Sequence, residues 1–291
     1  MTPESKYLIA LATELTEPYT KLPTFKAAMI TGSAAKGLAD RYSDIDMTMY
    51  YGSELPADDE LNRIRHGLGG TDRRWVIGGR DEGSFATAYG LHGIEIQIGH
   101  TLISAVEETI KMVHSGEDVD TPSQKAMEGT LACIPLFGDE VIIGLQEKIE
   151  IFPDSLAQAM VEKNLRFFAA WGLEHHFQTR DATIWLHQIL VECCQRLVAV
   201  WAGLNRTYFT TFQFKRQGRL IESMALKPQQ AAERLDRLFS AELSPMLADL
   251  EALVAETIDL VEKHMPEVNT EQAKARIGWR HQPWKILSKA S

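Results

Sequence analysis

Met29-Ile-Thr-Gly-Ser-Ala-Ala-Lys-Gly-Leu-Ala-Asp-Arg-Tyr-Ser-Asp-Ile-Asp46 joins an apolar run, a tight turn and two carboxylates in one short segment. Lys26 to Thr31 reads as a strand that ends at Gly32-Ser33. A strand that turns there into a short helix exposes backbone N–H groups, and these, with the Ser33 hydroxyl, can hold phosphate oxygens. Gly32 lets the chain approach closely. Asp44 follows Ser33 by 11 residues and Asp46 comes two later. Asp44 to Tyr51 reads as a strand, on which residues two apart face the same way, so the two carboxylates project together. Paired carboxylates repel unless a positive charge sits between them, and the neighbouring phosphate-type turn makes magnesium the expected ion. Such an ion coordinates triphosphate oxygens and neutralises the leaving pyrophosphate, which is phosphoryl-transfer chemistry by positioning and electrostatics.

Outward from this segment, Tyr7 to Leu15 and Asp58 to Leu68 have helical spacing, and Trp75 to Ile77 suits a third strand. Ser84 to Tyr89 is expected to pair with Ile94 to Ile98 through a turn at Gly90 to Gly93. Ile94, Ile96 and Ile98 then share one face, and Glu95 and Gln97 the other. After about Pro153 the chain reads as helices over Ser155 to Phe177, Ala182 to Ala202, Gln229 to Phe239 and Pro245 to His264. The expectation is an α+β protein with a small mixed β-sheet domain over residues 1–150 and an α-helical bundle domain over residues 151–291. The polar stretch after Pro266 reads as an arm or tail.

The 291 residues and 45% hydrophobic content suffice for two cores. Thirty Lys and Arg against 40 Asp and Glu leave a net charge of −10, which argues against a surface built for nucleic acid. Three cysteines cannot form a disulfide framework and lack zinc-knuckle spacing, so a reducing compartment fits. Glu4, Lys6 and Glu14 interrupt the N-terminal apolar residues, and no window approaches a membrane span. A soluble cytoplasmic protein without membrane contact is the expectation.

The Gly32-Ser33 pair, Gly37 and Ser43-Asp44-Ile45-Asp46, in this order and spacing, resemble the signature of the nucleotidyltransferase superfamily with the DNA polymerase beta-like fold. The resemblance covers about the first hundred residues, and those family members that add a helical bundle of this size include aminoglycoside and lincosamide adenylyltransferases. It implies transfer of AMP from ATP to a hydroxyl of a small molecule, antibiotic-like or metabolite, with magnesium on Asp44 and Asp46. It also implies a third carboxylate on a later strand, and Glu95 stands where that residue belongs, as metal ligand or as general base. Gly32 and Ser33 take the phosphates, and Lys36 in the same turn is a further candidate.

In the helical part, Asn205-Arg-Thr-Tyr-Phe-Thr-Thr-Phe-Gln-Phe-Lys-Arg216 joins aromatic and basic residues. Related enzymes reach the triphosphate with a lysine or tyrosine from this part, which makes Lys215 the first choice, with Tyr208, Asn205, Arg216 and Arg219 behind it. A solvated charge cluster beside buried aromatics accounts equally for the same residues. His175, His176 and His187 read as surface or capping residues, and Trp171, Trp185 and Trp201 as core. Two other readings stay open: nucleotidyl transfer to a protein or RNA acceptor, and a non-catalytic nucleotide-binding or antitoxin-like module. Homo-oligomerisation is open as well.

Overall fold

Alternation of buried and half-exposed residues from Ile45 to Met49 is the pattern of a strand with one face in a core, and in the computed structural model this strand, Ile45–Tyr51, occupies the middle of a sheet. The structure describes residues 1–119 and 121–284 and divides into two compact units, Met1–Ile151 and Phe152–Ser291. In the first unit the strands are β1 (Phe25–Ile30), β2 (Ile45–Tyr51), β3 (Trp75–Gly79), β4 (Ser84–Leu91), β5 (Ile94–Leu102) and β6 (Ile134–Phe137). They form one six-stranded sheet in the order β3-β4-β5-β2-β1-β6. β2 and β5 pair in parallel and all other neighbours antiparallel, so the sheet is mixed, as expected. β4 and β5 form the expected hairpin, but its turn is His92-Gly93, with Gly93 at φ +82°, rather than Gly90 to Gly93: Gly90 and Leu91 pair with Glu95 and Ile94 within the ladder.

The helices of this unit are α1 (Pro3–Thr16), α2 (Gly32–Ala35), α3 (Asp58–Gly67), α4 (Ile103–Ser115), α5 (Thr121–Leu131) and α6 (Asp139–Glu150). Leu8, Ala12 and Leu15 of α1 and Leu61 of α3 join Ile45, Met47, Met49, Ile96 and Ile98 in the main core. On the opposite face α6 packs against β1 and β6, and the Tyr50 hydroxyl reaches the Met29 sulfur at 3.5 Å. That face is apolar beside β1 and polar where β2 meets β5.

His100 is buried within the main core, where its Nδ1 and the Tyr51 hydroxyl lie 2.9 Å apart and Phe85 stacks on its ring. Burial, with Arg80 and Arg73 nearby, holds its pKa down to about 3.

The second unit contains α7 (Asp154–Asn164), α8 (Glu174–Thr179), α9 (Thr183–Leu204), α10 (Gln217–Ser223), α11 (Ala231–Arg237), α12 (Leu243–His264) and α13 (Glu271–Lys274). α9 packs on α7 and α12, and the Trp201 indole donates to Thr257 at 2.9 Å. Arg234 is nearly buried and satisfied by Asp249 at 2.7 Å and Glu256 at 2.9 Å.

Three expectations need correction. The helix over Ser155 to Phe177 is broken: Leu165, Phe167 and Ala169 are buried in alternation with exposed Arg166 and Phe168, which suits an extended segment. The polar stretch after Pro266 is docked as far as it is described. Val268, Thr270 and Ala273 are buried, Trp171 donates to the Arg276 carbonyl at 3.0 Å, and Arg280 pairs with Glu251 at 2.7 Å. Residues 285–291 of that stretch lie outside the described residues. Trp185 is 40% exposed, whereas Trp171 and Trp201 are core as expected. Among the described residues no helix is long and apolar enough to cross a membrane.

Two outcomes follow. His100 must take up a proton on acid unfolding, because its folded pKa lies below the unfolded value near 6.5. The stability it confers is complete above about pH 6.5 and falls by about 1 kcal/mol per pH unit as pH drops below 6. Urea unfolding between pH 7 and 5 should therefore show a smaller acid loss in His100→Gln than in the wild type. A Cβ at Gly172 would lie 2.1 Å from the Trp279 ring, so Gly172→Val should release the 276–284 strap, read as new proteolytic cleavage there.

Candidate active site

Asp46 lies on β2 and Asp44 immediately before it, and the buried Ile45 and Met47 fix the opposite face. The parallel register sets Asp46 beside Gln97 and Ile45 beside Ile96, which carries Asp44 alongside Glu95. Four polar side chains, Asp44, Asp46, Glu95 and Gln97, thus share one side of adjacent strands, each half-buried.

The turn after β1 approaches the same place. The Thr31 N–H donates to the Asp46 carbonyl at 2.8 Å. Gly32 has φ +66°, and a Cβ there would lie 2.1 Å from Asp46 Oδ2, so the Asp46 carboxylate lies directly against the glycine. Ser33 follows within α2, half-exposed, and the Thr31 side chain does not cap this short helix. Gly37 at φ +70° closes the turn, which a hydrogen bond from the Thr2 N–H to its carbonyl at 3.3 Å ties to the N-terminus. Lys36 forms an ion pair with Glu128 of α5, which anchors that helix beside the turn.

Glu95 is held by both oxygens. Arg74 Nη1 donates to Oε2 at 2.8 Å and Gln97 Nε2 donates to Oε1 at 3.1 Å. The same Gln97 nitrogen donates to Asp44 Oδ2 at 2.7 Å and so ties Asp44 to Glu95. Among the described residues no group of three or more His, Cys, Asp or Glu converges as a metal site. The three carboxylates are aligned but not gathered on one point. Asp44 and Asp46 nevertheless fit magnesium: they are hard oxygen donors on one face beside a glycine turn, and magnesium takes one or two carboxylates plus substrate phosphates rather than an all-protein cage.

Arg74 and Gln97 were not singled out by the sequence. Gln97 was legible, since alternation puts it on the face of Glu95. Arg74 was not, because it stands outside the strand and reaches Glu95 across β4.

In the second unit, Lys215, Arg216 and Arg219 are exposed, and Lys215 lies 5.9 Å from the centre of the exposed Phe212 ring. Tyr208 is buried against Phe152 with ring centres 4.8 Å apart, and burial pushes its hydroxyl up to about 12. Asn205 serves the fold, since its amide donates to the Trp201 and Leu226 carbonyls at 2.7 and 2.8 Å and accepts from the Ala225 and Leu226 N–H groups.

No family model matches the chain, and no curated protein matches it. A solved structure of a nucleotidyltransferase-like protein from Exiguobacterium sibiricum is similar to it at 13% identity and a TM-score of 0.41, covering 96% of this chain and 82% of that one.

Proposed function

We propose that the Met1–Ile151 unit catalyses nucleotidyl transfer, moving AMP from ATP to a hydroxyl of a small molecule with release of pyrophosphate. The observation that carries this reading is the packing of the Asp46 carboxylate against Gly32, which brings a phosphate-type turn and an aligned carboxylate pair together on the inner strands of the sheet. Uncapped N–H groups at the start of α2 and the Ser33 hydroxyl suit triphosphate oxygens. Asp44 and Asp46 would hold magnesium, which when bound neutralises charge on the leaving pyrophosphate and aligns the attacking oxygen. Glu95 lies next to Asp44, where it would join the two aspartates on the metal or receive the acceptor proton once Arg74 and Gln97 release it. Lys215 and Tyr208 stay as candidates for nucleotide contact on the resemblance alone.

A second reading, a nucleotide-binding module without catalysis, is favoured by one observation: both Glu95 oxygens are engaged. The two readings separate in an assay of pyrophosphate release from ATP with magnesium over a panel of aminoglycosides, lincosamides and other polyhydroxylated metabolites. Acceptor-dependent release that drops roughly a hundredfold or more in Asp44→Ala and Asp46→Asn is expected. Nucleotide binding without release under any acceptor would leave the module. Gly32→Ala introduces a Cβ onto the Asp46 carboxylate at φ +66°, so activity should be lost while circular dichroism still reports a folded chain.

A further inference from the structure

Three arginines stand at the β3 edge of the sheet, and two of them are committed to Asp58: Arg73 at 3.2 Å and Arg80 at 2.6 Å. Arg74 turns the other way and donates to Glu95 at 2.8 Å. Its residue precedes β3 while Glu95 is on β5, so the side chain must cross β4. It crosses at Gly90, the cross-strand partner of Glu95. A Cβ at that glycine would lie 2.8 Å from Arg74 Nη2 and 3.5 Å from Cζ, so the missing side chain is the space the guanidinium occupies. The segment before β3 is fastened at the same point. Thr71 N–H donates to the Gly90 carbonyl at 2.9 Å, the Gly90 N–H donates to the Thr71 hydroxyl at 2.9 Å, and Arg74 N–H donates to the Ala88 carbonyl at 2.8 Å. The ion pair is therefore built into the sheet by a strand glycine and backbone bonds on both sides.

Its electrostatic effect falls on the carboxylate row. Asp44, Asp46 and Glu95 together repel one another, and the Arg74 guanidinium with the Gln97 amide supplies the compensation that a divalent cation would otherwise bring. A bare cation must compete with that guanidinium for Glu95. A triphosphate offers it a more highly charged partner, and a planar guanidinium fork suits phosphate oxygens at least as well as a carboxylate.

We propose that Arg74 is a positioning residue that makes divalent-cation binding conditional on nucleotide: it holds Glu95 in the free protein and moves to the triphosphate when nucleotide arrives. This rests on the nucleotidyltransferase reading.

The probe is Mn2+, titrated into the full chain and followed by the electron paramagnetic resonance of the free ion, with and without α,β-methylene-ATP. The wild type should bind Mn2+ weakly alone and more tightly with the analogue. Arg74→Ala should tighten nucleotide-free binding roughly tenfold, with a correspondingly smaller gain from the analogue. Gly90→Ala keeps the arginine but pushes its guanidinium aside, a shift a flexible side chain can make without loss of the fold, and should reproduce the effect. Arg74→Lys restores a cation and should return binding toward the wild type. Equal Mn2+ affinity in wild type, Arg74→Ala and Gly90→Ala, against binding that Asp44→Ala abolishes, overturns the role of Arg74 and leaves the enzyme reading standing. Mn2+ binding absent with and without the analogue, or indifferent to Asp44→Ala, overturns both.

Discussion

Because β2 and β5 run parallel with Ile45 beside Ile96 and Asp46 beside Gln97, every second residue of both strands is driven to the same side of the sheet. One side receives Ile45, Met47, Met49, Ile96 and Ile98, all buried. Their burial against α1 and α3 sets the register, since a slip of one residue would drive those side chains into water and the carboxylates into the core. The polar row opposite is thus positioned by hydrophobic burial on the face it does not share. Gly32 then brings the end of β1 onto that row, and Gly90 lets Arg74 reach it from the far edge. Site geometry and core packing are two consequences of one strand pairing.

Much of this was legible in the residues. Alternation announced β2 and β5 and assigned Glu95 and Gln97 to one face, and the Gly-Ser turn with two aspartates behind it marked the site. What escaped was long-range: Arg74 meets Glu95 through a crossing over β4 that no local pattern records. The Lys36 pairing with Glu128 is of the same kind, since it depends on where α5 packs. Tyr208 and Asn205 show the opposite difficulty. A tyrosine in an aromatic-basic stretch reads the same whether it meets a ligand or Phe152, and an asparagine that closes the end of α9 is written no differently from one on a surface.

Element boundaries failed where the period of the apolar residues changes without punctuation. Between Asn164 and Ala170 the chain passes from helix to an extended stretch with neither glycine nor proline, so nothing in the local sequence marks the break. β6 is short and carries Pro135, which is tolerated because this strand lies at the sheet edge. The docked strap after Pro266 is polar in composition, and its anchoring relies on a few residues: Val268, Ala273, Trp279 against Gly172, and backbone bonds such as that from the His281 N–H to the Gly172 carbonyl at 2.9 Å.

That strap bears on the order in which the protein matures during synthesis. All six strands of the sheet and the helices that cover it lie within Met1–Ile151, so the first unit has its whole core in hand as soon as that segment leaves the ribosome. The helical unit does not. Trp171, near its beginning, finds its hydrogen-bond acceptor in Arg276, 105 residues further along the chain. Until the strap is made, Trp171 has no Arg276 carbonyl to donate to and Glu251 of α12 has no Arg280 to pair with, so this part of the helical unit closes last.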